Sequence, residues 1–194
     1  MLYRKVVDRQ DAEELVRQMG SFAELDLVAL VFTFVDSFAH GRSRDAIVAE
    51  FSQDVGALRA HLRTWFERSV VLDVLREMAR QGRRTLITTD HGSVQVRRSA
   101  LVRGDRDTSG GVRAKFGKAL GCNPDESLLL TAPARFGLPV GGLMKNYVFA
   151  REDRFFVFAR KRHEYERQLR GTFQHGGISM EEMIVPVITL TPRR

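Results

Sequence analysis

The sequence predicts an α/β protein with a largely parallel central sheet flanked by helices. Three observations carry that expectation. Residues 27–35 (Leu-Val-Ala-Leu-Val-Phe-Thr-Phe-Val) are apolar almost throughout, as a strand covered on both faces must be. Residues 83–90 (Arg-Arg-Thr-Leu-Ile-Thr-Thr-Asp) read as a second buried strand. Between and after them, helix-periodic and strand-like segments alternate, which argues for helices packed on a sheet.

Taken in order, residues 10–19 (Gln-Asp-Ala-Glu-Glu-Leu-Val-Arg-Gln-Met) make a short amphipathic helix stopped by Gly20. After the strand at 27–35, residues 43–80 follow helical spacing and predict two helices. Leu58, Leu62, Trp65 and Phe66 share one face, followed by Val70, Val71, Val74, Leu75 and Met78. Beyond the strand at 83–90, residues 94–97 and 100–103 predict a hairpin about Arg98-Ser99. Residues 104–125 are charged and glycine-rich and read as a long loop. Strands are expected at about 127–132, 145–150 and 154–160, a helix over 161–170, and a last strand from Met183 to Leu190. No internal repeat or low-complexity tract interrupts this order.

Composition excludes several classes. The chain has 194 residues, 43% hydrophobic and 28% charged, which rules out a disordered, collagen-like or disulfide-stapled protein. Its one cysteine, Cys122, has no intrachain partner, and this fits a reducing, cytoplasmic setting. The apolar run at 27–35 is far short of the ~20 residues of a membrane helix, and the first residues show no apolar signal-peptide core. The 31 Lys and Arg against 24 Asp and Glu give +7, and 26 of the basic residues are arginine. Such a balance fits either a phosphate-bearing partner or a surface rich in ion pairs.

Chemistry-bearing residues gather at expected strand ends, where open α/β sheets bind ligands. Asp36 stands where the first apolar strand stops, in Phe34-Val35-Asp36-Ser37-Phe38-Ala39-His40-Gly41. If the chain turns helical there, Asp36 and His40 share a face and can share an ion; otherwise they are a helix cap and a surface histidine. Thr88-Thr89-Asp90-His91-Gly92 follows the second strand. Asp90 and His91 can turn onto one ion if the backbone bends, or can form an ordinary turn. Near the C-terminus, His175-Gly176-Gly177-Ile178-Ser179-Met180-Glu181-Glu182 puts a histidine before two glycines, and Ser179 with Glu182 forms a capping-box pattern. Carboxylates and imidazoles together suit zinc, manganese or iron.

The ordered set Asp-x-x-x-His, Asp-His-Gly and His-Gly-Gly resembles the alkaline phosphatase superfamily, and within it the PglZ domain. Thr88 to Gly92, Gly-Asp-Arg-Asp-Thr-Ser at 104–109, and His175 to Pro186 look like PglZ segments of PorX-type response regulators, over about residues 27–192. The resemblance implies an alkaline-phosphatase-like fold, of which residues 27–194 would be the C-terminal portion and residues 1–26 a flank with a short helix. It implies two divalent metals, zinc first and manganese second. Asp36, His40 and His175 match the ligands of one, and Asp90 and His91 match ligands of the other.

The function so implied is a metal-dependent phosphodiesterase or phosphatase, the effector of a two-component protein with a receiver domain before it. The family nucleophile, a Thr or Ser, and one further Asp are expected upstream, so the chain alone is expected to be inactive. The alternatives are a non-catalytic metal-binding interaction module and a PglZ component of phage defence. A phosphoester is the expected substrate, an oligonucleotide among the options. Arg106, Arg113 and Lys115 in the basic loop are candidates for gripping its phosphates, against the plainer reading of a solvated loop. No membrane insertion is expected.

Overall fold

A computed structural model describes residues 1–36, 55–105, 108, 111–140 and 146–193. The chain divides into two compact units, residues 1–89 with 186–194, and residues 90–185.

The first unit opens with β1 (Leu2–Val6), followed by α1 (Arg9–Gln18) and a 3-10 turn over Met19–Glu24. Asp8 caps α1, its carboxylate accepting from the Asp11 N–H at 2.9 Å. The helical path therefore runs past Gly20 instead of stopping there. β2 (Val28–Phe32) then pairs in parallel with β1, from Leu2 opposite Val28 to Val6 opposite Phe32. The flank expected at residues 1–26 thus holds a strand of the unit's own sheet. A helical turn begins at Phe34, whose ring stacks on Trp65 at 4.5 Å.

Trp65 lies on α2 (Val55–Arg68), and α3 (Val70–Arg80) follows after a break at Ser69, which caps it. The two helices expected between 43 and 80 are present in their described part. Val6, Leu15, Met19, Phe22, Val74 and Met78 form the unit's core, so α1 and α3 cover one face of the parallel pair. Gln81 Nε2 donates to the Met19 carbonyl at 2.9 Å and Arg83 to the Phe22 carbonyl at 3.1 Å, satisfying polar atoms of the 3-10 turn. β3 (Thr85–Ile87) ends the first pass through this unit.

The second unit contains β4 (Val94–Gln95), β5 (Arg98–Arg103), β6 (Ala114–Gly117), β7 (Gly121–Cys122), β8 (Ser127–Leu130), β9 (Asn146–Ala150), β10 (Arg154–Val157), α4 (Arg162–Leu169), β11 (Phe173–Gln174) and α5 (Met180–Met183). Its described sheets run β10-β5-β7, β6-β9-β8 and β11-β4. β10, at the end of its sheet, contributes to two core clusters. Successive side chains point to opposite faces, so Phe155 and Val157 join Val94, Val96 and Leu169, while Phe156 joins Ala100, Val102, Val148 and Ala150. The chain then returns to the first unit, where β12 (Ile188–Leu190) pairs antiparallel with β3.

Several expectations are corrected here. The mixed α/β content is present, but a largely parallel sheet is not. Among the described residues only β1–β2 and β10–β5 are parallel, and the remaining pairs are antiparallel. β2 and β3 are not neighbours, because β2 pairs with β1 and β3 with β12. The hairpin about Arg98-Ser99 does not form. The Arg97 and Arg98 N–H groups donate to the Asp153 carbonyl at 2.8 and 3.4 Å, which sends β5 to β10 instead of back to β4. The loop expected at 104–125 contains β6 and β7, and the last strand is confined to β12 after α5. No helix among the described residues is long and apolar enough to cross a membrane.

Leu15 is fully buried and Leu86 is 62% exposed. Leu15→Ala should lower unfolding free energy by about 2–5 kcal/mol, and Leu86→Ala should change it by less than ~1 kcal/mol, in chemical denaturation followed by circular dichroism.

Candidate metal centre

Two short pieces of chain bring the second unit's histidines together. His91 precedes β4 and His175 follows β11, and β4 pairs antiparallel with β11, Val94 opposite Gln174 and Gln95 opposite Phe173. That pairing lays the imidazole rings face to face, with centroids 3.9 Å apart and planes 12° from parallel. Each ring offers a nitrogen within 4.8 Å of the other's. His91 Nδ1 lies 3.0 Å from the Gly92 carbonyl oxygen. A carbonyl only accepts, so Nδ1 carries the hydrogen of that bond and Nε2 is left as the lone-pair atom. Nε2 faces the Asp90 carboxylate at 3.8 Å. That separation is an ion-pair distance, longer than a hydrogen bond. Carboxylate and imidazole donors of this kind suit a first-row divalent metal.

A buried ion pair stands behind the histidines. Arg113 Nε and Nη2 donate to the two Glu182 carboxylate oxygens at 2.9 and 2.7 Å, and the paired side chains are 0% and 1% exposed. Arg113 Nη1 donates to the Arg154 carbonyl on β10. The same carboxylate accepts from the Gly177 N–H at 2.8 Å and the Ser179 N–H at 3.0 Å. The second of these completes the reach-back of the capping-box pattern. The Glu182 backbone carbonyl accepts from the Gly92 N–H at 2.9 Å. One residue therefore ties down both histidine loops. Burial alone would raise the Glu182 pKa, but the Arg113 bonds and the two N–H donors outweigh it and hold the carboxyl below the usual range.

The glycines follow from this closeness. A Cβ on Gly92 would lie 1.9 Å from the Glu181 carbonyl oxygen, and one on Gly177 would lie 2.7 Å from Glu182 Oε2. Gly176 turns the chain away from His175 at φ +92°, a conformation that favours glycine.

Of the expected ligands, the structure stacks His91 on His175 and sets the Asp90 carboxylate 3.8 Å from His91 Nε2. Asp36 belongs to the first unit, exposed on the helical turn that begins at Phe34. His40 and Arg106 lie outside the described residues. Arg113 and Lys115 do not sit on a solvated loop. Arg113 is 1% exposed in its pair, and Lys115 is 3% exposed on β6 with Nζ 4.7 Å from the centre of the Phe158 ring. Burial lowers the Lys115 pKa. Sequence reasoning missed Glu182 as the partner of Arg113. Its one visible signal was the capping-box spacing, which explains an acidic residue at that position without requiring it to be buried.

A stacked histidine pair with a carboxylate beside one ring is a donor arrangement suited to a divalent ion, as alkaline-phosphatase-like domains use. The chain belongs to the PglZ family: residues 2–190 match the family model described as the BREX system PglZ alkaline phosphatase-like domain. The match takes in β1 and α1 as well as the region from residue 27 onward. No curated protein matches the chain.

The Glu182 pair generates a pH prediction. Because its folded pKa is depressed, its contribution to stability is complete above the ordinary glutamate value of about 4.3 and is lost as pH falls through the lower folded value. Glu182→Gln should cost about 3–5 kcal/mol at neutral pH, since Arg113 is left buried without its counter-charge. Denaturation curves across pH should show the gap between wild type and variant closing below about pH 4.

Proposed function

We propose that this chain is a divalent-metal phosphoester hydrolase domain of the PglZ type, acting in the cytoplasm on a phosphodiester or phosphomonoester. The observation that carries the reading is the stacked His91–His175 pair with Asp90 beside it, at positions matching the family's ligand motifs. We assign Asp90 and His91 to one ion, and His175 to the other with Asp36 and His40, as the resemblance implies. Zinc is the first choice and manganese the second, because mixed imidazole and carboxylate donors suit both. When bound there, a divalent ion supplies charge neutralisation for the phosphoryl group and a more acidic water.

The chain's own residues supply the rest. Asp90 brings a negative charge that favours cation capture. The Gly92 carbonyl fixes the His91 tautomer and leaves Nε2 for coordination. The buried clamp keeps both rings at their mutual distance before any ligand arrives. None of these residues is a hydroxyl nucleophile. An effector downstream of a receiver domain, on the likeness to PorX-type segments, and a phage-defence component, which the family description fits, use the same chemistry.

The test is a steady-state assay on bis-p-nitrophenyl phosphate with added zinc or manganese, together with calorimetric titration of each metal. Wild type should bind metal and hydrolyse the diester in a metal-dependent way, with chelation lowering the rate by about 10²-fold or more. His175→Ala should remove most metal binding and most of that activity. His61→Ala, on α2 of the first unit, should leave both unchanged. Absence of metal binding, or turnover that persists without metal, would overturn the reading.

A further inference from the structure

We propose that the buried Arg113–Glu182 pair is the positioning element of the histidine pair, setting where His91 and His175 stand and thereby how tightly the centre takes a divalent ion. The proposal rests on the metal-centre reading above. Four observations converge on it. The Glu182 carboxylate takes the Gly177 and Ser179 N–H groups, which fixes the loop leaving His175. The Glu182 carbonyl takes the Gly92 N–H, which fixes the residue after His91. Arg113 anchors that carboxylate by two bonds and reaches the Arg154 carbonyl on β10, so both loops are referred to the best-buried strand of the unit. The pairing of β4 with β11, which also joins the histidines, is two residue pairs long and is continued by backbone bonds of Val96 with Gly171 and Thr172, at the end away from the rings.

A pair that served packing alone would need no backbone bonds to the two histidine loops. An apolar pair of similar volume would fill the same space, and buried ion pairs are often replaceable in that way. The structure instead spends every acceptor site of Glu182 on fixing loop backbone or on Arg113. Outer-shell groups that orient metal-binding histidines typically change metal affinity by roughly 10–100-fold when removed.

The experiment uses the full 194-residue chain and the double variant Arg113→Met/Glu182→Leu, which keeps an apolar fill but no acceptor for Gly177 or Ser179. Glu182→Gln serves as a second variant should the double variant not fold. Cooperative thermal unfolding establishes that a variant is folded. Zinc titration calorimetry and nuclear Overhauser contacts between the His91 and His175 ring protons are then read on the folded forms. The folded variant should bind zinc roughly 10–100-fold more weakly and lose the ring-to-ring contacts. A folded variant with wild-type zinc affinity and intact ring contacts would overturn the proposal. If wild type itself binds neither zinc nor manganese, the metal-centre reading fails. The ring contacts, measured without metal, then decide positioning alone: their loss in the variant supports it and their persistence refutes it.

Discussion

Two charges taken fully out of water are the constraint around which the second unit is built. Moving a guanidinium and a carboxylate into a protein interior costs several kcal/mol per ion, and mutual attraction offsets this only if the remaining hydrogen-bonding capacity is also used. Here it is used. Glu182 receives two bonds from Arg113 and two from backbone N–H groups, and Arg113 places its third bond on the Arg154 carbonyl. Satisfying that pair obliges the loop after His175 to fold back over it. The Arg113 backbone is engaged as well, its carbonyl accepting from the Ala150 N–H at 2.9 Å. The charged pair is thus joined to sheet hydrogen bonds on one side and to the histidine loops on the other.

This arrangement relates rigidity to chemistry. The histidines stand beside two-residue strands, and so short a ladder is marginal on its own. The sheets that bury β10 supply the firmness, and the ion pair conveys it to the rings. Under the proposed metal-binding role this matters, because donors already in place lose less conformational freedom when an ion arrives. The first unit follows a different logic: its parallel pair is covered by helices, and its core is aliphatic and aromatic throughout.

Much of the helical content was legible in the sequence because helical periodicity is local. The Asp8 cap, the break at Ser69 and the stretch 162–169 all follow from residues within one or two turns. The strand positions at 27–35, 83–90 and 127–160 were legible as runs of apolar residues, whereas their partners were not, since pairing joins segments far apart in the chain. β1 was not legible because Leu2-Tyr3-Arg4-Lys5-Val6 carries two adjacent charges among five residues and looks like a solvated terminus. The proximity of His91 to His175 was suggested by the order of their motifs. The fate of Arg113 was not, because an arginine in a glycine-rich, charged stretch reads as a surface group until Glu182 is found 69 positions away.

The two glycines that press on Glu181 and Glu182 carry a consequence for how the sequence can drift. Gly92 abuts the backbone of that helical turn and Gly177 abuts its buried carboxylate. Neither position can gain a side chain unless the turn moves, and the turn cannot move without disturbing both at once. Tolerance at one site is therefore conditional on the residue at the other. Substitutions here should be strongly epistatic, so that viable lineages change the two loops and the acid together or leave all of them fixed.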